Sequence, residues 1–190
     1  ARYGLTADSR FILYVGGIAP HKNLAVLVDA FSRLQETGRH ADVRLVLVGD
    51  YSDDVFLIDE KMRSVMDNPE FRDKVVFTGY VDDEDLNTLY NAATVFVLPS
   101  FCEGFGLPVV ESMKSGTAVL TSIDSAMAEV AADSALLIDP LDTDQLCESV
   151  LRLQRDSALV DQLVHSGLET IDRFSWRNCA KRTVRLYKSL

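Results

Sequence analysis

Cationic side chains are in short supply in this sequence. Its 190 residues carry 19 Lys and Arg against 29 Asp and Glu, a formal net charge of −10. Nucleic-acid binding asks for a basic stripe, and adhesion to an anionic membrane for a basic face, so this balance argues against both. It leaves small anions open, because a few cations converging on one cleft set the local potential whatever the total. Long apolar runs are missing too. Nothing approaches the ~20 residues that span a bilayer, and the polar stretch Ala1–Arg10 holds no signal-peptide core. Cysteine is sparse: Cys102, Cys147 and Cys179 form an odd set with no C-x-x-C pair. That argues against a disulfide framework or a zinc site and fits a reducing cytoplasm, with the three thiols expected as small buried hydrophobes. With no low-complexity linker and no internal repeat, one domain is expected over 1–190.

What is present is an ordinary globular composition, 47% hydrophobic and 25% charged, and an alternation of short apolar runs with amphipathic stretches. Strands are expected at Phe11–Val15, Val43–Val48, Lys74–Phe77, Thr94–Leu98, Thr117–Thr121 and Ala135–Ile138. Between them, Leu24, Leu27, Val28, Phe31 and Leu34 fall at helical spacing and close at Gly38, and further helices are expected over Val55–Met66, from Asp82–Asp85 onward, and over Pro108–Lys114. Three more follow, at Thr143–Arg152, Ser157–Arg173 and Ser175–Ser189. Strands that read as continuous Val/Ile/Leu runs are buried on both faces, and alternation with helices implies a parallel, doubly wound α/β sheet of about six strands. In such a sheet ligands bind beyond the carboxyl ends of the strands. Gly16-Gly17, Gly49, Gly79-Tyr80 and the loop 99–107 all fall there.

Two of these strand ends carry chemistry. In Gly16-Gly17-Ile18-Ala19-Pro20-His21-Lys22-Asn23, the paired glycines let backbone N–H groups approach an anion. Lys22 stands at the start of a helix, where the dipole disfavours it, so it wants a counter-charge, and Asn23 is placed to cap. A plain turn with a solvated lysine is the competing reading. The second stretch, Pro99-Ser100-Phe101-Cys102-Glu103-Gly104-Phe105-Gly106-Leu107-Pro108-Val109-Val110-Glu111, takes a strand through a glycine-rich loop into a helix with Pro108 at its first position. The N–H groups of Phe105, Gly106 and Leu107 are then free to face an anion. Glu111 can accept hydrogen bonds from a ribose diol, against the alternative of a first-turn acid on the dipole, and Glu103 lies where the polar end of a ligand would fall.

Glu103 and Glu111, with seven residues between them, match the E-x7-E motif of the group 1 retaining glycosyltransferases. Tyr14–Gly17 with Pro20-His21-Lys22-Asn23 resembles that family's first glycine loop, and Phe77-Thr78-Gly79-Tyr80-Val81 its base-binding strand end. The segment after Glu111 and the turn Phe174-Ser175-Trp176 are similar as well, so the resemblance runs along nearly the whole chain. It implies the C-terminal half of a GT-B fold: a Rossmann-like three-layer α/β/α sandwich that binds a nucleotide sugar, with 174–190 as a terminal helix and the N-terminal acceptor domain absent. It implies no metal and no cofactor. The donor would be an NDP-sugar, GDP-mannose or a UDP-sugar, and the reaction hexosyl transfer, mannosyl as a first guess, to a glycan or lipid-linked acceptor in surface polysaccharide synthesis. The isolated domain is expected to be inactive alone, cytoplasmic, and without direct contact to a membrane, whether or not the parent enzyme sits on the inner face of the cell membrane.

By matching position, the resemblance makes Lys22 the clamp on the donor diphosphate, with the backbones of Gly16 and Gly17 beside it. Backbone near Tyr80 and Val81 would meet the base, with Leu86 packing on it. Glu111 would hold the ribose, and Glu103, with Gly104, Phe105, Gly106 and Leu107, the transferred sugar or the phosphates. Many members of the family carry Arg where this chain has Gly17, which leaves the second cation unassigned. Asp142-Thr143-Asp144 mimics a metal-binding D-x-D but precedes a helix and reads as a cap. A non-catalytic nucleotide-binding module, a sugar epimerase and a flavodoxin-like signalling domain are the rivals. Lys22, Glu103 and Glu111 around one cleft would separate the first reading from a mere module; the motifs of an epimerase differ from Glu103-Gly104-Phe105-Gly106-Leu107-Pro108, and the acidic run Asp82–Asp85 sits at a helix start rather than clustered with another strand-end acid and a lysine.

Overall fold

The computed structural model describes residues 2–38, 40–49, 63 and 67–189. Six strands, β1 (Arg10–Val15), β2 (Val43–Val48), β3 (Val75–Gly79), β4 (Val95–Leu98), β5 (Val119–Ser122) and β6 (Ala135–Ile138), form one parallel sheet in the order β3-β2-β1-β4-β5-β6. Ile12 on β1 lies between Leu45 on β2 and Val95 on β4. The central residues Ile12, Leu13, Leu45, Val46, Val95 and Phe96 are fully buried. That is why these strands read as unbroken apolar runs: helices cover both faces, so no alternation survives in the sequence.

Among the described residues the helices are α1 (Leu24–Glu36), the single turn α2 (Pro69–Arg72), α3 (Asp83–Ala92), α4 (Leu107–Lys114), α5 (Ala126–Ala131), α6 (Thr143–Arg155), α7 (Ser157–Ile171) and α8 (Trp176–Lys188). α1 packs on α6, while α4 packs on α3, α5 and α7. Short polar side chains start most of them. Asp82, Ser125, Asp142, Asp156 and Ser175 each accept from the backbone N–H three residues on. The acidic run Asp82–Asp85 therefore does structural work as a cap and first turn. Asp142 of the D-x-D look-alike caps α6, and Asp144 pairs with Arg33 of α1 at 2.5 Å.

Two expectations need correction. The helix α5 and the 3-10 turn after it, Ala132–Ser134, fall where no element was expected. At six residues α5 is too short to show a periodic apolar stripe. The thiols are not core hydrophobes. Cys102 and Cys179 are exposed, and Cys147 is half-buried, its Sγ donating to the Ala30 carbonyl at 3.4 Å. Burial pushes the Cys147 thiol up to about 11. The helix expected over Val55–Met66 lies, apart from Arg63, outside the described residues.

The order of strands reverses between β1 and β4. β1 hands its chain to β2 on one side and β4 to β5 on the other, so the connections leave in opposite directions and open a crevice at the shared carboxyl edge. The Gly16–Asn23 loop and the Pro99–Gly106 loop border that crevice.

Candidate functional site

β1 ends in Gly16, whose φ of 156° lies at the margin of what a side chain accepts. A Cβ there would stand 3.0 Å from the Tyr14 hydroxyl. Tyr14 itself is fully buried, and its hydroxyl donates to the Gly17 carbonyl at 2.9 Å. The turn is thus held from beneath by the strand that feeds it. Burial, and then the negative charge of Glu103, push the Tyr14 hydroxyl far above the usual tyrosine range, so it stays a donor.

After the turn, Pro20–Lys22 forms a short 3-10 helix and Asn23 takes a left-handed conformation with φ 54° before α1 begins. Asn23 precedes the helix as expected, but its side chain does not cap it. The left-handed backbone turns the amide outward, and Nδ2 donates to the Pro99 carbonyl at 3.1 Å and the Pro140 carbonyl at 2.6 Å. One side chain therefore ties together the loops that follow β1, β4 and β6.

Lys22 finds its counter-charge inside the protein. Its Nζ lies 2.5 Å from Oε1 of Glu103, and the Ser100 hydroxyl donates to the same oxygen at 2.9 Å. The two charged side chains are only 21% and 13% exposed, so water competes for them weakly. The Phe101 N–H donates to the His21 carbonyl at 2.8 Å, closing the two loops onto each other, and the His21 side chain is exposed. Gly17 is exposed, and among the described residues no atom stands within 4 Å of a Cβ placed there.

The 99–107 loop ends at Gly106, buried and left-handed with φ 86°. A Cβ there would meet Met127 Cγ of α5 at 2.7 Å, which explains the glycine twice over. Leu107 takes the first position of α4 and Pro108 the second, so the helix begins one residue earlier than the sequence suggests. The Leu107 N–H therefore has no carbonyl four residues back in its own helix, and the positive end of α4 faces the crevice. Gly104 is exposed, and Phe105 packs edge-on against Phe174 with ring centroids 5.5 Å apart. That contact fixes the loop against the turn that leads into α8.

Glu111 sits on the second turn of α4, exposed, and accepts from the Tyr90 hydroxyl at 3.0 Å. Tyr90 is buried, its ring edge-on to Phe96 of β4. Burial first, then the charge of Glu111, push its hydroxyl far above the usual range. Glu111 and Tyr90 border an open groove of about 500 Å³ that also takes in Leu86, Asn87 and Lys114. So Leu86 and Glu111, set apart in sequence, line one surface. Tyr80 is 86% exposed at the end of β3, whereas the Val81 side chain is buried in the core and leaves only its backbone for a ligand. A larger hollow of about 710 Å³ lies between α6 and α7 around Arg155–Ser157. It sits at the amino edge of the sheet, the wrong end for an α/β ligand site.

Lys22 and Glu103 thus meet beside Tyr14, which holds the Gly16-Gly17 turn, while Glu111 and Leu86 line the groove between α3 and α4. Sequence reading misses Tyr14, Ser100 and Tyr90, which orient these groups. Tyr14 could have been suspected from a polar-tipped aromatic two residues before a glycine pair. Nothing local marks Tyr90, whose partner is 21 residues away.

A family model described as glycosyl transferases group 1 matches residues 1–169. The O-antigen chain mannosyltransferase B of Escherichia coli is 36% identical over 183 residues, covering 95% of this chain and 46% of that protein. The mannosylfructose-phosphate synthase of Agrobacterium fabrum is 30% identical over 189 residues, covering 97% and 41%. Among solved structures, sucrose-phosphate synthase from Thermosynechococcus elongatus superposes with a TM-score of 0.83 at 28% identity, over 97% of this chain and 46% of that one. Anabaena Alr3699/HepE in complex with UDP and glucose superposes with a TM-score of 0.84 at 18% identity, over 97% and 50%, a likeness of fold. The chain spans less than half the length of these curated relatives.

Proposed function

This chain belongs to the glycosyl transferases group 1 family, and we propose that it is the domain of a retaining hexosyltransferase that holds the nucleotide-sugar donor. The observation that carries the reading is the meeting of Lys22 and Glu103, 81 residues apart, at the point where the strand order reverses. Lys22, the backbone N–H of Gly17 and the start of α4 are three sources of positive potential around one crevice, the Gly16 N–H being taken by the Val48 carbonyl at 2.9 Å. A diphosphate fits that charge, and its leaving-group charge grows as the bond from the β-phosphate oxygen to the sugar C1 breaks. Lys22 is the residue that meets this charge. The acceptor hydroxyl adds to C1 on the face the diphosphate leaves, and its proton passes to the departing phosphate, which retains configuration.

Glu111, aimed by Tyr90, takes the ribose hydroxyls, and Leu86 and the backbone of Tyr80 and Val81 take the base. Glu103 takes sugar hydroxyls together with backbone from Gly104 to Leu107. A mannosyl donor and surface-polysaccharide assembly are supported by the O-antigen mannosyltransferase relative, and a nucleoside diphosphate by the UDP of the Anabaena fold neighbour. The acceptor site belongs to a further domain of the parent polypeptide, so this chain binds donor without turning it over. The test is thermal unfolding with GDP, UDP, ADP and dTDP, on the wild type and on Lys22→Ala and Glu111→Ala. Ligand at ten times its Kd adds about 1.4 kcal/mol, or roughly 3–6 °C at this size. A shift with one nucleotide that shrinks in both variants supports the donor site. An equal shift in all three proteins overturns it.

A further inference from the structure

Glu103 occupies the cation that the diphosphate needs. Its Oε1 receives both the Lys22 ammonium, at 2.5 Å, and the Ser100 hydroxyl, at 2.9 Å, in a setting where both charged side chains are mostly shielded from water. Three groups hold the carboxylate in this place. Ser100 anchors it directly, the Phe101 to His21 backbone bond fixes the two loops, and Asn23 binds the Pro99 carbonyl one residue before Ser100. A diphosphate that claims Lys22 must break a charge-assisted bond and leave a partly buried carboxylate beside its own negative charge.

We infer that Glu103 is a specificity-determining residue that discriminates against the spent nucleoside diphosphate in favour of the loaded nucleotide sugar. The inference rests on the donor-site reading above. A loaded donor brings sugar hydroxyls that donate to Glu103 in place of the Lys22 ammonium, so the carboxylate exchanges one donor for another. A bare diphosphate brings acceptors only, and Glu103 is left facing it. The same pair therefore weakens product relative to substrate and returns Lys22 to Glu103 when the product leaves. Binding energy is directed to the species that carries the transferable group, which keeps product from holding the site.

The experiment measures Kd by calorimetry for GDP and GDP-mannose, and for UDP and UDP-glucose, on the wild type, Glu103→Gln, Glu103→Ala and Lys22→Ala. Glutamine keeps the shape and removes the charge. The expected result is nucleoside diphosphate bound about tenfold more tightly by Glu103→Gln, with the sugar nucleotide unchanged or weakened, so that the preference for the loaded donor falls at least tenfold. Glu103→Ala, a second variant that removes the carboxylate altogether, moves the diphosphate the same way and weakens the sugar nucleotide further. If both ligands move together, or neither moves, while Lys22→Ala abolishes binding, the discrimination is overturned and the donor site stands. If Lys22→Ala binds as the wild type does, or no protein binds any of the four ligands, the donor site falls and the discrimination with it.

Discussion

The hydroxyl of Tyr90 reaches from a buried ring to the exposed carboxylate of Glu111, 3.0 Å away. The core thus aims a surface acid: β4 and α3 fix the ring through its contact with Phe96, and the ring fixes the rotamer of Glu111. Tyr90→Phe keeps the packing and removes the bond. Glu111 is exposed and can turn to water, so the fold loses only about 0.5–1 kcal/mol. Nucleotide affinity is expected to fall roughly 3–10-fold, because Glu111 must be ordered at each binding event. Calorimetry and melting of the same variant separate the two effects.

Asn23 gives a different kind of test. Asn23→Gly keeps the left-handed backbone and removes the bonds to the Pro99 and Pro140 carbonyls. The expected cost is about 1–3 kcal/mol, measured by urea unfolding. Asn23→Asp is expected to cost more than glycine does, because a carboxylate would face two carbonyl oxygens in place of an N–H donor.

Two glycines of the site respond in opposite ways. Gly106→Ala puts a Cβ at φ 86° and 2.7 Å from Met127 Cγ, so the fold is expected to lose about 1–3 kcal/mol and to melt several degrees lower. At Gly17→Arg the new Cβ meets no atom of the described residues within 4 Å, and stability is expected to change by less than about 0.5 kcal/mol. The added cation stands beside Lys22, so nucleoside diphosphate affinity rises about 3–10-fold at low salt and the gain shrinks as ionic strength rises. A gain that is insensitive to salt would contradict the electrostatic account.

Tyr14 and Tyr90 set an alkaline limit. Burial, then the charges of Glu103 and Glu111, raise both hydroxyls in the folded protein above the ordinary tyrosine value. The unfolded chain releases these protons near pH 10 while the folded chain keeps them. Their contribution is therefore complete below about pH 10 and is lost above it, by up to roughly 1.4 kcal/mol per tyrosine for each pH unit. Urea unfolding from pH 8 to 11 is expected to show a steeper decline for the wild type than for the double variant Tyr14→Phe, Tyr90→Phe. Parallel declines would refute the assignment.

Much of this architecture can be read from residue order alone. β2 and β6 have the boundaries that their apolar runs suggest, because Gly49 and the Asp139-Pro140 pair close them. The two glycine loops are legible because glycine where a strand ends is a backbone demand. The missing parts share a physical reason. Asn23 looks like a helix cap until its left-handed φ sends the amide to carbonyls 76 and 117 residues away. The ties from Tyr90 to Glu111 and from Lys22 to Glu103 are tertiary and have no local pattern. The cysteines mislead because Cys102 lies in a site loop and Cys179 on a helix with no buried residue, where average burial does not apply.

The reversal of strand order also sets a timetable. Lys22 leaves the ribosome 81 residues ahead of Glu103, an interval of roughly 4–16 s at typical rates of synthesis. Throughout it, the paired glycines and the lysine are present and the groups that neutralise and position them are not. A nascent chain that has made β1, β2 and β3 has half of a sheet and one lip of a crevice. Only when β4 docks on the free edge of β1 does the second lip arrive, so acquiring the site and completing the centre of the sheet are one event.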